Sequence, residues 1–128
     1  MLDRSILNPH QVKDVAEKTL FERIAAREVP ADFVHEDDDC IAIRDINPQA
    51  PVHVLVVPRK PITSLDDLTP NDAELVGKLF VVARQIARDE GLKNGYRTVF
   101  NCGKDGQQTV PHLHLHLLGG RPMSWPPG

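Results

Sequence analysis

The stretch His112-Leu-His-Leu-His-Leu-Leu118 decides how this 128-residue chain is organised. Read as a β-strand, it places its three histidines on one face of a sheet and the intervening leucines on the other, because strand side chains alternate. The loop before it, residues 101–111, is rich in Gly and Gln and can offer backbone N–H groups to an anionic ligand. The pattern predicts one buried face and one face that carries chemistry.

Length, composition and charge limit the possible functions. A chain of 128 residues is one domain, and its 41% apolar and 26% charged residues are typical of a globular protein. A formal net charge of −3 lacks the excess of basic residues that is typical of nucleic-acid binding, so we expect a small-molecule or protein partner. Residues 1–10 lack the apolar run of a signal peptide and no segment could span a bilayer, so we expect a cytoplasmic location and no membrane partner. Cys40 and Cys102 form no CxxC pair, and we interpret them as reduced thiols.

Local signals divide the chain into helices and strands. Thr19 and Glu22 form a capping box, Thr69-Pro70 is a typical helix start, and Gly91 is typical of a helix end. We predict a short helix from Thr19 to Pro30, a long helix from Thr69 to Gly91, and strands over residues 33–35, 40–43, 52–57, 96–101 and 112–118.

This order of elements predicts an α+β fold. Short connections between neighbouring strands favour an antiparallel sheet, here of five strands, and we expect both helices to cover the same face of it. The histidines would then look out from the uncovered face. We assign residues 1–18 to an N-terminal extension and residues 19–128 to a single domain with a C-terminal tail.

Three interpretations of the histidine strand are open on the residues alone. The first is a half-buried strand whose polar face happens to hold imidazoles. The second is a zinc site, because two histidines at positions i and i+2 of a strand can share one ion. His112 and His116 would lie about 13 Å apart, too far to reach the same ion, so a third ligand would have to be His53 or a cysteine of another strand. The third is phosphoryl or nucleotidyl transfer, because neutral imidazole is a good nucleophile and its neighbours can stabilise a phosphate.

The histidine stretch resembles the H-φ-H-φ-H-φ-φ signature of the histidine triad (HIT) superfamily, where φ is apolar. The likeness extends through Asp45-Ile-Asn-Pro-Gln-Ala-Pro-Val-His53, Gly95-Tyr-Arg97, Gly119-Gly-Arg121 and Ser124-Trp-Pro-Pro-Gly128. These segments are similar to those of the Hint branch, the purine nucleoside phosphoramidases. The resemblance runs from Thr19 to the end of the chain.

The resemblance implies an adenosine 5′-monophosphoramidase that needs neither a cofactor nor a metal. His114 would attack the α-phosphorus of an AMP-amide and form a nucleotidyl-histidine intermediate. His112 and His116 would contact the phosphate, His53 would complete the histidine cluster, and Thr109 would donate a hydrogen bond near the scissile bond.

The resemblance also implies the remaining contacts to a purine nucleotide. Asp45 would bind the ribose, and Asn101, Gln107 and Gln108 would hold phosphate and ribose. The wall of the purine pocket would be formed by Phe21, Ile24, Val29, Ile43, Ile46 and Leu55.

A homodimer is implied as well, in which the sheet is extended to ten strands and Trp125 reaches toward the partner's active site. Alternative functions are a dinucleoside polyphosphate hydrolase of the same superfamily, a nucleotide-binding regulatory module with little turnover, and a zinc-binding module. The loop departs from the family pattern at three positions. Thr109 replaces a serine, Pro111 removes an N–H donor, and Gln107 replaces a glycine, which predicts a backbone less free to adopt a positive φ.

Overall fold

The structure is a computed structural model and describes residues 17–128. The extension predicted over residues 1–18 therefore lies almost entirely outside the described residues. The described part contains one five-stranded antiparallel sheet in the order β1-β2-β3-β5-β4. Its strands are β1 (Phe33–Glu36), β2 (Cys40–Arg44), β3 (Val52–Pro58), β4 (Tyr96–Phe100) and β5 (Leu115–Gly119). The predicted α+β fold and its five antiparallel strands are confirmed.

Helix α1 (Leu20–Ala25) begins at the predicted capping box. The Thr19 hydroxyl accepts a hydrogen bond from the Glu22 N–H at 3.1 Å, and the Glu22 carboxylate accepts one from the Thr19 N–H at 3.0 Å. Both bonds satisfy N–H groups that a helix start leaves without intrahelical partners. The sequence therefore sets this start locally.

Helix α2 (Ala73–Asp89) begins a little later than predicted. Thr69 and Pro70 open a 3₁₀ turn, Pro70–Asp72, which leads directly into α2. The end agrees with the prediction, because Gly91 adopts φ 72° and the Leu92 N–H donates to the Ala87 carbonyl at 2.9 Å. A left-handed residue at this position closes a helix, and glycine adopts it without strain.

The two helices lie on opposite faces of the sheet, which corrects the prediction that both cover one face. On β3, Val54 and Val56 belong to the hydrophobic cluster that includes α2, whereas Leu55 and Val57 belong to the cluster that includes Phe21 and Ile24 of α1. Side chains alternate along a strand, so these two clusters must occupy opposite faces. The sequence shows that each helix has an apolar side but not which face of the sheet receives it.

We call the face packed on α2 the leucine face, because Leu113, Leu115 and Leu117 are at most 1% exposed and belong to its cluster. The opposite face, which carries His53 and His116, is the histidine face. Helix α1 covers only part of the histidine face. The uncovered remainder forms the candidate site.

Strand β5 begins at Leu115, three residues later than the predicted start at His112. Residues 112–114 pair with other partners, because the Leu113 N–H donates to the Ile62 carbonyl at 2.7 Å and the His112 N–H donates to the Val110 carbonyl at 2.8 Å. Of the three histidines, only His116 lies within the strand.

The acidic turn between β1 and β2 is tied to α2. The Lys78 ammonium lies 2.6 Å from the Asp39 carboxylate and 3.2 Å from that of Asp37. Asp37 also accepts from the Asp39 N–H at 2.7 Å, which is typical of a carboxylate that closes a turn. Among residues 17–128, neither helix is long and apolar enough to cross a membrane.

Candidate active site

A cavity of about 350 Å³ opens on the histidine face between α1, the end of β2 and the loop before β5. It has an apolar end and a polar end, with His114 and His116 at the polar end. Most of the residues expected to bind substrate line it, namely Phe21, Ile24, Val29, Ile43, Asp45, Ile46, Leu55, Asn101, Gln107, Thr109, His114 and His116. A cavity with mostly apolar walls and a few convergent polar groups is typical of a small-molecule site.

The ring of His114 is held with one nitrogen as a donor and the other free for the cavity. Its Nδ1 lies 2.7 Å from the carbonyl oxygen of His112, and only an N–H can donate to a carbonyl. The proton of the neutral ring is therefore on Nδ1, and Nε2 carries a lone pair. Burial lowers the pKa of His114 below its ordinary value, against the raising effect of this bond and of Asp45. His114 is thus a neutral imidazole with a nucleophilic Nε2 at neutral pH.

His116 and His53 form a hydrogen-bonded pair whose tautomers can be assigned. The Gln49 N–H donates to His53 Nδ1 at 3.0 Å, so the proton of neutral His53 is on Nε2. That Nε2 lies 2.9 Å from His116 Nδ1, which must accept. The proton of His116 is then on Nε2, on the cavity side of the ring. His116 therefore presents an N–H donor beside the lone pair of His114, whose ring centroid is 5.0 Å away.

Burial lowers the pKa of both members of this pair. The pKa of His116 falls to about 4, through burial first and then through the neighbouring rings of His114 and His53. The pKa of His53 is lowered by burial and raised in part by Asp45, whose carboxylate lies 3.4 Å from His53 Nε2. Both rings are neutral at pH 7 in the free protein.

His112 lies behind the site rather than in it, which corrects the expectation that it contacts the phosphate. Its Nε2 donates to the Pro58 carbonyl at 2.7 Å, and its Nδ1 accepts from the Thr19 hydroxyl at 2.6 Å. The ring is 1% exposed and its pKa is lowered by burial. Both nitrogens are used, so His112 connects α1, β3 and, through its carbonyl, the ring of His114.

The loop before β5 contributes three of its four predicted residues to the cavity, because Asn101 lines it together with Gln107 and Thr109. Gln107 adopts φ 64°, so the left-handed conformation forms although the residue is not glycine. Gln108 does not line the cavity, because its side-chain amide bonds to backbone groups of Gly103, Thr63 and Val110. This corrects the expectation that Gln108 holds the phosphate.

Two groups of residues among 17–128 have the spacing of metal ligands: Asp45 with His53 and His116, and His35 with Asp37 and Cys40. A ligating histidine normally donates its second N–H to an acceptor, but the second nitrogen of His53 faces the Gln49 N–H donor. In the other group, burial raises the pKa of the Cys40 thiol to about 12. Neither donor set has the chemistry of a built metal site.

A family model described as HIT domain matches residues 26–123. The chain belongs to the HIT family. An uncharacterized HIT-like protein of Synechococcus elongatus is 54% identical over 114 residues, which are 89% of this chain and 100% of that protein.

Solved structures of HIT proteins share the same fold. A HIT family hydrolase from Legionella pneumophila is 49% identical, with a TM-score of 0.85 over 87% of this chain and 100% of that one. A histidine triad protein from Clostridium difficile is 41% identical, with a TM-score of 0.81 over 84% of this chain and 96% of that one.

Several residues of the cavity in this HIT protein were not predicted from the sequence. They are Leu20, Pro30, Ala31, Arg44 and Val110. Leu20 directly precedes the predicted Phe21, and Arg44 directly precedes the predicted Asp45. Their position next to predicted site residues in the sequence could have indicated that they line the cavity. Trp125 is 82% exposed and does not line the cavity within one chain.

Proposed function

We propose that this HIT protein is an adenosine 5′-monophosphoramidase of the Hint type, a hydrolase that cleaves the P–N bond of AMP-amides. The observation that carries the proposal is the fixed tautomer of His114, whose Nε2 lone pair faces a nucleotide-sized cavity. The hydrolase description of the Legionella pneumophila relative supports it. The proposed intermediate is an AMP group bonded to His114.

In the proposed first step, His114 Nε2 attacks the α-phosphorus and the electron pair of the P–N bond passes to the amine nitrogen. The resulting imidazolium keeps its Nδ1–H on the His112 carbonyl, an acceptor that already points at it. This arrangement needs no reorientation of the ring during the reaction, which is the advantage of a preorganised site.

The departing amine needs a proton, and the His116–His53 pair is placed to supply it. The bound phosphate anion raises the pKa of this pair, so the pair takes up a proton together with the substrate. The amine removes that proton as it leaves. Water then attacks the nucleotidyl group on His114 and returns a proton to the pair, which restores both histidines.

The apolar end of the cavity supports a purine as the base. Phe21 and Ile24 of α1 form one hydrophobic cluster with Ile43 and Leu55 of the sheet, and all four line the cavity, which offers apolar side chains to the faces of a purine ring. Asp45 lies at the polar end as an acceptor for ribose hydroxyls.

The test measures release of amine from an AMP–lysine amide. We expect turnover by the wild-type protein and an AMP adduct that mass spectrometry maps to His114 after rapid quenching. The variant His114→Ala should bind AMP but show neither turnover nor adduct. Undiminished turnover by this variant would exclude His114 as the nucleophile.

Two further substrates separate the alternative functions. Faster cleavage of diadenosine polyphosphates than of AMP–lysine would favour a dinucleoside polyphosphate hydrolase. Tight AMP binding without any adduct would favour a regulatory module.

A homodimer that pairs β4 strands is part of the proposal. Strand β4 is at the edge of the sheet in the described chain, and the Phe80 ring of α2 packs edge-on against Phe100 of β4. Phe80, Val81 and Tyr96 are all partly exposed. An open edge beside apolar side chains favours pairing with a second copy. Light scattering of the purified protein tests it, with Val81→Glu expected to give monomers.

A further inference from the structure

The side chain of Gln108 bonds to three backbone groups, in the loop before β5 and in the linker after β3. Its amide oxygen accepts from the Gly103 N–H at 3.1 Å, and its amide nitrogen donates to the Thr63 carbonyl at 2.7 Å and to the Val110 carbonyl at 3.1 Å. Its own backbone N–H donates to the Gly103 carbonyl at 3.0 Å. Gln108 thus closes the loop on itself and ties it to the linker after β3.

The neighbours of Gln108 on both sides line the cavity that holds His114. Gln107 is held at φ 64°, a conformation that costs energy for a residue with a side chain and needs support from its surroundings. The Gln107 N–H donates to the Lys104 carbonyl at 3.1 Å inside the loop that Gln108 closes. The contacts of Gln108 are therefore the support that the strained residue needs.

We infer that Gln108 is a positioning residue, which fixes Gln107 and Thr109 relative to His114 without touching substrate. The kinetic test of this inference rests on the proposed function. The proposed function itself assigns no role to Gln108. Only an amide, with one acceptor and two donor hydrogens, satisfies one N–H and two carbonyls at once.

The loop borders the polar end of the cavity, whereas the base would be held by α1, β2 and β3. Loss of the Gln108 contacts should therefore disturb the reacting phosphate more than the binding of the nucleotide. A small displacement of catalytic groups from the reacting phosphate lowers kcat. It leaves unchanged the contacts that bind substrate and transition state equally, and therefore the affinity for AMP.

The first experiment compares Gln108→Met with the wild-type protein. Methionine keeps the length of the side chain and removes all three hydrogen bonds. We expect kcat for AMP–lysine to fall about 10- to 100-fold and the Kd for AMP to stay within about threefold. The control is Gln85→Met, which removes an amide contact to Asp89 on the exposed side of α2 and should leave both values unchanged.

The second experiment uses Gln108→Glu, whose ionised carboxylate would face the Thr63 and Val110 carbonyls and repel them. A protonated carboxyl can again donate a hydrogen bond, so the ratio of kcat for Gln108→Glu to that for Gln108→Met should rise on going from pH 7.5 to roughly pH 5. The active-site histidines are the same in both variants, so their effect on the pH dependence of kcat cancels in this ratio. A residue that merely filled space would give a constant ratio.

Unchanged kcat in Gln108→Met, or equal losses in kcat and AMP affinity, would overturn the inference. If the wild-type protein cleaves no AMP-amide, the proposed function fails and the inference is decided by amide hydrogen exchange of residues 103–109 in the AMP complex. Faster exchange in Gln108→Met than in Gln85→Met supports it, and equal exchange overturns it.

Discussion

The leucine face and the histidine face are built from alternate residues of the same segment, yet they are held by different forces. On the leucine face, Leu113, Leu115 and Leu117 pack against α2 through contact area alone. On the opposite side, His112 and His114 are also buried, but each ring donates a hydrogen bond to a backbone carbonyl.

The difference concerns what each face tolerates. Hydrophobic packing has no direction, so a leucine can be exchanged for a residue of similar volume. A hydrogen bond requires a donor opposite an acceptor, so each ring on the histidine face has one usable tautomer. The leucine face should therefore determine stability and the histidine face reactivity.

The largest expected effect is on activity, in His114→Ala. Loss of the proposed nucleophile should lower kcat for AMP–lysine by about 10⁴-fold or more, as for other covalent catalysts that lose theirs. Thermal unfolding by circular dichroism should show a folded protein. Complete unfolding of this variant would contradict the expectation that the histidine face determines reactivity and the leucine face stability.

The adjacent substitution, Leu115→Ala, should act on stability instead. Leu115 is 0% exposed, so the cavity left behind should lower the free energy of unfolding by about 2–5 kcal/mol. Urea denaturation measures it, with Leu115→Met as the control of similar volume, which should lose less than about 1.5 kcal/mol. A smaller loss for alanine than for methionine would contradict the packing argument.

Thr19→Val should have the next largest effect, on the histidine face. It removes the helix cap of α1 and leaves the buried Nδ1 of His112 without its donor, at a combined cost of about 1–3 kcal/mol. The control Thr19→Ser keeps the hydroxyl and should retain most of the wild-type stability. No loss in Thr19→Val would mean that the two hydrogen bonds of the hydroxyl do not stabilise the fold.

The parts of the molecule that could be predicted from the sequence are the local ones. The Thr19–Glu22 cap and the alternation of the histidine stretch are local, so the sequence predicted the start of α1 and the two unlike faces. The face that α1 covers and the start of β5 depend on partners such as Ile62, about fifty residues from the histidines. The role of Gln108 depends on Thr63 in the same way. Residue types suggested the proposed chemistry, whereas long-range backbone pairing determines which side chains reach the cavity.

A smaller effect should appear in the pH dependence of stability. The pKa of His116 is about 4 in the folded protein, against about 6.5 in the unfolded chain. Between these pH values the unfolded state binds more protons, so stability is full above pH 6.5 and is lost as pH falls toward 4. Urea denaturation across this range should show a shallower pH dependence in His116→Asn, whereas Leu115→Ala should retain the slope.

The smallest expected effect is in Arg44→Met. Arg44 follows Cys40 and Ala42 of the leucine face at alternate positions on β2, so its guanidinium lies on the α2 side of the sheet, where it pairs with Glu90 at the end of α2 with a side chain that is 41% exposed. Ion pairs of this exposure contribute about 0–1 kcal/mol, so the free energy of unfolding should change by less than that. A larger loss would show that this contact, which joins the end of α2 to the end of β2, stabilises the leucine face more than its exposure predicts.

The strand order has a consequence for how the protein folds. Strand β5 follows β4 along the chain but lies between β3 and β4 in the sheet, where His116 stands opposite both Leu55 and Val99. The β1–β2–β3 meander can form from neighbouring segments, but β4 has no place beside it until β5 is inserted. Contacts between such distant segments form slowly because loop closure costs entropy before they stabilise the chain. Insertion of β5 therefore completes the sheet and assembles the histidines in one event, and a refolding assay by activity should report the last step of folding.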